Sequence, residues 1–282
     1  MKIENSQNFL TSTKLVEELV NKANFNNNLS ILEIGAGKGI ITDELLKKSD
    51  VTALELDKKL YDNLLIKYKD KNIKLLNTDI LEYEFDKDYN VFSNIPFNIT
   101  SDILTKLLKD NHIYDVYLIM QYEAYLRFAE NKELYLTYKY LLFKPLYDMN
   151  IVHKFNNTDF NPTPKARIIL ASFTRKSKPD IDFSNINLYL DFVSYLFNKK
   201  SKLLFEKIDK LFSDKQKEII KKTLKVEDDY LFTSLKYENI IYLFNTFNKY
   251  ANDRSKKTVK DFFNMKKEDN NPHKNFSSKN KW

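Results

Sequence analysis

Leu29-Ser30-Ile31-Leu32-Glu33-Ile34-Gly35-Ala36-Gly37-Lys38-Gly39-Ile40-Ile41 reads as an apolar strand, a glycine turn and the start of a helix. The 282-residue chain has three glycines, and all three stand in this stretch. Average usage would give roughly 20. A composition that avoids glycine elsewhere keeps it where the backbone takes a positive φ, or where another molecule approaches with no Cβ in the way. Outward from the turn the alternation repeats. Val51 to Leu56 reads as strand, Lys58 to Tyr68 as helix and Ile73 to Asn77 as strand; then Asn90 to Asn94 as strand, Ser101 to Lys109 as helix and Asp115 to Met120 as strand. This spacing predicts βαβ units and a parallel sheet, an α/β fold. Upstream, Leu15, Val16, Leu19, Val20 and Ala23 make an amphipathic stripe that Ser12 or Thr13 can cap.

Composition narrows the function classes. There is no cysteine, which excludes disulfide scaffolds, thiolate metal sites and cysteine nucleophiles. A hydrophobic fraction of 43% with 14% aromatics supplies a packed core, and no apolar run reaches the ~18 residues of a membrane span. The polar N-terminus, Met1 to Asn8, does not read as a signal peptide, so the expectation is a cytoplasmic protein. The three histidines, His112, His153 and His273, are scattered and no metal site is expected. Lys and Arg number 46 against 39 Asp and Glu, a formal net charge of +7. Nine of those basic residues lie between Ala251 and Trp282, against four acidic ones. After Phe160-Asn-Pro-Thr-Pro-Lys165, a strand is expected over Arg167 to Phe173 and a linker over Arg175 to Asp182. Residues 186–250 turn helical. The expected organisation is an α/β domain over 1–176, a small all-helical domain over 177–250, and a basic, flexible tail over 251–282 that favours a polyanion.

Four constellations carry chemistry. The glycine turn exposes backbone N–H groups and admits a nucleotide-containing ligand. Its G-x-G-x-G spacing is not the dinucleotide fingerprint, and Glu33 puts a carboxylate where a pyrophosphate would lie. That disfavours NAD and suits the cationic S-adenosylmethionine, although the turn alone leaves both open. Glu55, twenty residues after Gly35, ends the second strand where an acid accepts from ribose hydroxyls; its plain alternative is an exposed glutamate. Asp79, followed by Ile80 past the third strand, can accept from an adenine amino group. Asn94-Ile95-Pro96-Phe97 ends the fourth strand. An amine conjugated to an aromatic ring is a poor nucleophile because its lone pair is delocalised. If the Asn94 carboxamide oxygen and the Ile95 carbonyl accept its two N–H protons, the nitrogen can turn its lone pair towards a methyl donor. Pro96 stiffens the turn and adds no competing donor, and Phe97 offers a face for a base taken out of its stack.

These motifs, with Ser6-Gln-Asn-Phe-Leu-Thr-Ser12 ahead of them, resemble the rRNA adenine N6-methyltransferase family, with its Erm macrolide-resistance branch and its KsgA-type dimethyladenosine transferases. The resemblance runs from about Gln7 to about Phe247. It implies a Rossmann-like class I methyltransferase sheet with a small all-helical C-terminal domain that binds RNA. It implies S-adenosylmethionine contacts at Asn8, Leu10, Glu33, Gly35, Gly37, Glu55, Asp79, Ile80 and Asn94. Catalytic residues are implied at Asn94, Ile95, Pro96, Phe97 and Phe160, with Phe160 of the F-x-P-x-P-K element closing the base pocket opposite Phe97. Ile95 and Phe192-Val-Ser194, followed by Asn198 and Lys199, are similar to the Erm branch. Phe97 stands in place of the more frequent tyrosine, and Ala166-Arg167 depart from the usual sequence after F-x-P-x-P-K.

The expectation is therefore a monomeric enzyme that methylates adenine N6 in rRNA by base flipping and direct in-line transfer. The target is 23S rRNA ahead of 16S, with resistance to macrolide, lincosamide and streptogramin B drugs as the consequence. A KsgA-like 16S enzyme, a non-catalytic nucleic-acid-binding factor on the same fold, and a nicotinamide dehydrogenase are the rivals. A phosphate track over Arg127, Arg167, Lys199, Lys200 and Lys202 is a further expectation.

Overall fold

The structure, a computed structural model, describes residues 8–26, 28–129 and 137–269, with side chains as far as Met265. Ser6 and Gln7 of the first motif, His273, and Lys274, Lys279 and Lys281 of the tail lie outside the described residues. The chain forms two units, residues 1–129 with 146–179 and residues 130–145 with 180–282.

In the first unit a two-residue strand, β1 (Phe9–Leu10), leads into α1 (Thr13–Lys22). Ser12 caps that helix by accepting from the Leu15 N–H at 3.2 Å. Val16, Leu19 and Val20 are its buried stripe. Then come β2 (Ser30–Ile34), α2 (Ile40–Leu45), β3 (Val51–Leu54), α3 (Lys58–Lys67), β4 (Ile73–Leu76), β5 (Tyr89–Asn94), α4 (Thr100–Lys109) and β6 (Ile113–Gln121). A short helix, α5 (Tyr122–Tyr125), follows. β2, β3 and β5 are buried along nearly their whole length, as the strands of a parallel sheet covered on both faces must be.

The sheet order is β4-β3-β2-β5-β6, all parallel. The chain runs outward from β2 through β3 to β4 and then returns to β5 on the other side of β2. β2 and β5 thus bracket the switch point of a doubly wound sheet, where a crevice opens beyond their carboxyl ends. The buried Ser93 hydroxyl accepts from the Ile34 N–H at 2.7 Å and ties those two ends together. Past α6 (Tyr138–Phe143), the edge strand β7 (Tyr147–Lys154), the short β8 (Phe160–Asn161) and β9 (Ile168–Arg175) complete this unit. β9 pairs antiparallel with both β6 and β7. β8 pairs with β1 in a separate two-stranded ladder. Neither α6 nor β7 was expected from the sequence.

The second unit is helical. It holds α6, α7 (Ile186–Asn198), α8 (Leu204–Ile208), α9 (Asp214–Leu224), α10 (Tyr237–Tyr250), α11 (Asp253–Val259) and α12 (Phe262–Asp269). Tyr189, Phe192, Phe244 and Phe247 are fully buried and pack ring on ring between α7 and α10. Two features differ from the sequence expectation. Residues 137–145 belong with this unit although they precede the 176/177 boundary, because the Tyr189 hydroxyl donates to the Leu141 carbonyl at 2.6 Å and joins α6 to α7. Residues 253–259 and 262–269, expected as part of a flexible tail, are helical: Val259 is 0% and Phe263 7% exposed, and the Asp191 carboxylate on α7 accepts from the Asp261 and Phe263 N–H groups. Among the described residues no helix is long and apolar enough to cross a membrane.

Candidate active site

A cleft of about 590 Å³, counting its open mouth, lies at the switch point. Four segments line it: Asn8 to Leu10, the turn from Glu33 through Gly35 to Lys38, Ile40 and Ile41 at the start of α2, and Asn94 to Phe97.

The turn is held from below. A Cβ at Gly39 would stand 2.4 Å from the Tyr68 hydroxyl, so packing and its φ of +78° both demand glycine there. Tyr68, just past α3, shares its hydroxyl proton between the Gly39 carbonyl and Asp43, each at 2.8 Å. Lys67 donates to the Lys38 and Gly39 carbonyls and to Asp43. A Cβ at Gly35, by contrast, would meet nothing within 4 Å. That glycine borders the open cleft.

Glu33 lines the cleft but is 1% exposed and accepts from the Thr42 hydroxyl at 2.6 Å. Burial pushes its carboxyl up to about 8; Glu55 and Asp43 add to the rise, while Thr42 and Lys67 oppose it. At neutral pH it therefore carries its proton. The sequence expectation of a standing negative charge is corrected, because desolvation outweighs the hydrogen bond. A cation brought beside it draws the proton off, so the site still fits a sulfonium or ammonium group.

Glu55 and the Asp79-Ile80 pair do not line the cleft. Glu55 is 3% exposed and spans two backbone donors, the Gly37 N–H at 2.7 Å and the Asp57 N–H at 2.8 Å. Its carboxylate braces the turn instead of standing open to a ribose. Asp79 accepts from the Leu81 N–H at 2.9 Å, and Ile80 is buried. Asn77 ties the two strand ends together by donating to the Glu55 and Leu56 carbonyls.

At the end of β5, Asn94 donates through Nδ2 to the Asn8 carbonyl at 2.7 Å. A carbonyl only accepts, so this bond sets which way round the amide lies and, among the described residues, leaves Oδ1 as its free acceptor. Ile95 anchors the turn at 2% exposure, and the Thr100 hydroxyl at the start of α4 reaches the Pro96 and Phe97 carbonyls. Phe97 is half-buried at the cleft wall. Phe160 does not face it there. At 2% exposure it packs 5.1 Å from Phe155 and pairs with Leu10 across β1 and β8, so the expected second wall of a base slot is a core residue. Leu10 is on the cleft because that same pairing holds its strand, and Asn8 directly precedes that strand.

Thr42, Lys67, Tyr68 and Ser93 support the site and were not singled out in the sequence. None belongs to a spacing pattern, although the bare turn at Gly39 implied some group packed close against it. The residues of the expected phosphate track fall in both units. Arg127 and Arg167 belong to the sheet unit, Lys199, Lys200 and Lys202 to the helical one. Arg167 is bound through two nitrogens to Glu123 and stacks 4.4 Å from the Tyr122 ring.

A glycine turn after the first strand of a doubly wound sheet, facing an Asn-Ile-Pro-Phe corner across the switch point, defines a Rossmann-like methyltransferase. The description "Ribosomal RNA adenine dimethylase" matches residues 1–249. The chain belongs to this family of enzymes, the rRNA adenine N6-methyltransferases. It is 32% identical over 252 residues to an rRNA adenine N-6-methyltransferase of Limosilactobacillus reuteri, covering 87% of this chain and 96% of that one. It is also 32% identical over 215 residues to the ribosomal RNA small subunit methyltransferase A of Mycoplasmopsis pulmonis, covering 74% and 84%. Two crystal structures share the fold. The 23S rRNA methyltransferase ErmE has a TM-score of 0.70 at 23% identity over 86% of this chain and all of its own. A dimethyladenosine transferase from Plasmodium falciparum has a TM-score of 0.69 at 18% identity over 85% and 98%.

Proposed function

We propose that this chain methylates N6 of an adenine in 23S rRNA, the modification that confers macrolide-lincosamide-streptogramin B resistance, using S-adenosylmethionine held in the switch-point cleft. The observation that carries the reading is the Asn94 carboxamide, turned by the Asn8 carbonyl so that its oxygen remains an acceptor beside the cleft. S-adenosylmethionine supplies an electrophilic methyl group on a positive sulfur. The open side of Gly35 leaves room for it, Asn8, Leu10 and Gly37 border it, and the Glu33 carboxyl gains a partner for its charge. Asn94 Oδ1 and the Ile95 carbonyl accept the two N–H protons of the target amine and stabilise the positive charge that develops on nitrogen. Phe97 receives the base on its ring face, offsetting part of an unstacking cost of a few kcal/mol. The proton leaves to water after transfer, since the methylated amine is acidic while cationic. Most of the acceleration then comes from positioning. A second round on the same nitrogen gives dimethyladenine.

Ile95 and the Phe192-Val-Ser194 segment support 23S over 16S. The Mycoplasmopsis relative, named for the small subunit, supports the second reading, a 16S enzyme. Mass-spectrometric mapping of rRNA from cells expressing the chain tests both. A new N6-methylated or dimethylated adenine in 23S rRNA is the expected result; the same modification confined to 16S rRNA selects the second reading.

A further inference from the structure

The family match ends at residue 249, yet the chain goes on to form two more helices. α11 buries Ser255 and Val259. At 3.6 residues per turn, Arg254 and Lys257 fall on the opposite side of that helix, and Lys260 follows directly after it. All three are exposed. Among the described residues, no ion pair involves any of them. Arg254 and Lys257 share one side of α11 and Lys260 stands at its C-terminal end, between the exposed Asp253 and Asp261, and the mounting of this basic stripe is firm. Asn252 caps α11 by accepting from the Ser255 N–H at 2.9 Å. Val259 and Phe263 are buried, Phe262 lies edge-on to Tyr195 at 5.1 Å, and Asp191 holds the N–H groups of Asp261 and Phe263.

We propose that this C-terminal extension is an additional RNA contact of this chain, in which Arg254, Lys257 and Lys260 take phosphodiester oxygens of the substrate RNA. The inference rests on the rRNA reading above and concerns residues other than those that line the methyl-transfer cleft. Charge complementarity selects the partner: a line of cations carries no means of reading base edges but matches the repeated charge of a nucleic-acid backbone. A docked helix also presents those charges without the ordering cost that a loose tail incurs on binding. The contact therefore adds affinity independently of sequence, and the choice of nucleotide stays with the cleft.

The test compares the full-length protein with Arg254→Gln/Lys257→Gln/Lys260→Gln and with a control, Lys59→Gln/Lys71→Gln/Lys215→Gln, which removes the same charge from scattered exposed sites. Affinity for a fluorescein-labelled RNA hairpin is followed by anisotropy from about 50 to about 300 mM KCl. Each phosphate contact adds about 0.7–0.9 to the slope of log affinity against log salt, so the stripe variant should lose about 2–3 from that slope and bind at least about tenfold more weakly at low salt. The control should keep the parent slope, and all three proteins should melt alike. An unchanged slope in the stripe variant, or an equal loss in the control, overturns the proposal. Failure of the rRNA reading shows separately, as a parent protein that transfers no methyl group from labelled S-adenosylmethionine to rRNA.

Discussion

Two side chains at the cleft carry opposite kinds of information. Among the described residues Asn94 is held by one side-chain bond, which leaves its oxygen free for the acceptor role proposed above. Asn94→Ala should abolish methyl transfer to rRNA while cofactor affinity, measured by calorimetry, falls only modestly; an active variant would remove the amine-polarising role. Glu33 is instead held by what surrounds it. Its carboxyl titrates near 4.5 in the unfolded chain and about 8 in the folded one. Below pH 4.5 both states are protonated and the site carries no cost. Between there and about 8 only the unfolded chain has released the proton, so stability falls as pH rises, by roughly 5 kcal/mol across the window. Glu33→Gln removes the titration. The variant should gain in melting temperature over the parent at about pH 8.5 and gain little at about pH 5, while binding S-adenosylmethionine more weakly. A gain of equal size at both values would mean that the buried carboxyl is not the titrating group. Neither state was legible in the sequence, where Glu33 stood as a plain negative charge. Its ionisation depends on how completely β2 is covered.

At the scale of elements, the strands that are buried on both faces and end in turn residues were readable as apolar runs, and the order β2, glycine turn, α2 followed from the composition itself. β7 escaped because it is an edge strand in which only Tyr147 is buried and polar residues stand among the half-buried and exposed positions that follow. The burial of Phe160 was not readable because its neighbour across the ladder, Leu10, is 150 residues away in sequence, and no local pattern announces such a pairing. Glu55 was identified as a site residue, but the direction of its carboxylate depends on the Gly37 N–H, which a positive φ turns towards it. The join between α3 and the turn is an element-level device of the same kind. Tyr68→Phe removes the hydroxyl that meets the Gly39 carbonyl and Asp43 and leaves the ring in the core. Loss of one such bond costs about 1–2 kcal/mol, so S-adenosylmethionine should bind about five- to thirtyfold more weakly with kcat at saturation nearly kept. Equal cofactor affinity in parent and variant would show that α3 does not set the turn.

Across the whole molecule, the change of period after residue 176 marked one junction between the units but not the earlier segment, 137–145, that also belongs to the helical one, and the end of the helical unit was not legible. Residues 251–269 are rich in lysine and hold few large apolar side chains, so their composition resembles a solvated tail. What makes them a folded part is a small number of well-placed groups: Val259 and Phe263 in the core, Phe262 against Tyr195, and Asp191 as a cap supplied by another helix. Removing the chain after Ala251 therefore does more than remove charge. Two buried side chains alone are worth about 3–6 kcal/mol at 1.5–3 kcal/mol each, and Asp191 loses both of its partners. The truncated protein should melt at least about 10 °C below the parent by circular dichroism, given roughly 4–8 °C per kcal/mol for a unit of this size. Loss of RNA binding on truncation would then mix unfolding with lost contacts, whereas the three glutamine substitutions leave the buried face intact and report on charge alone. A truncated chain with the parent's melting temperature would show that the extension is not part of the helical core, and the firm mounting claimed for its basic stripe would fall with it.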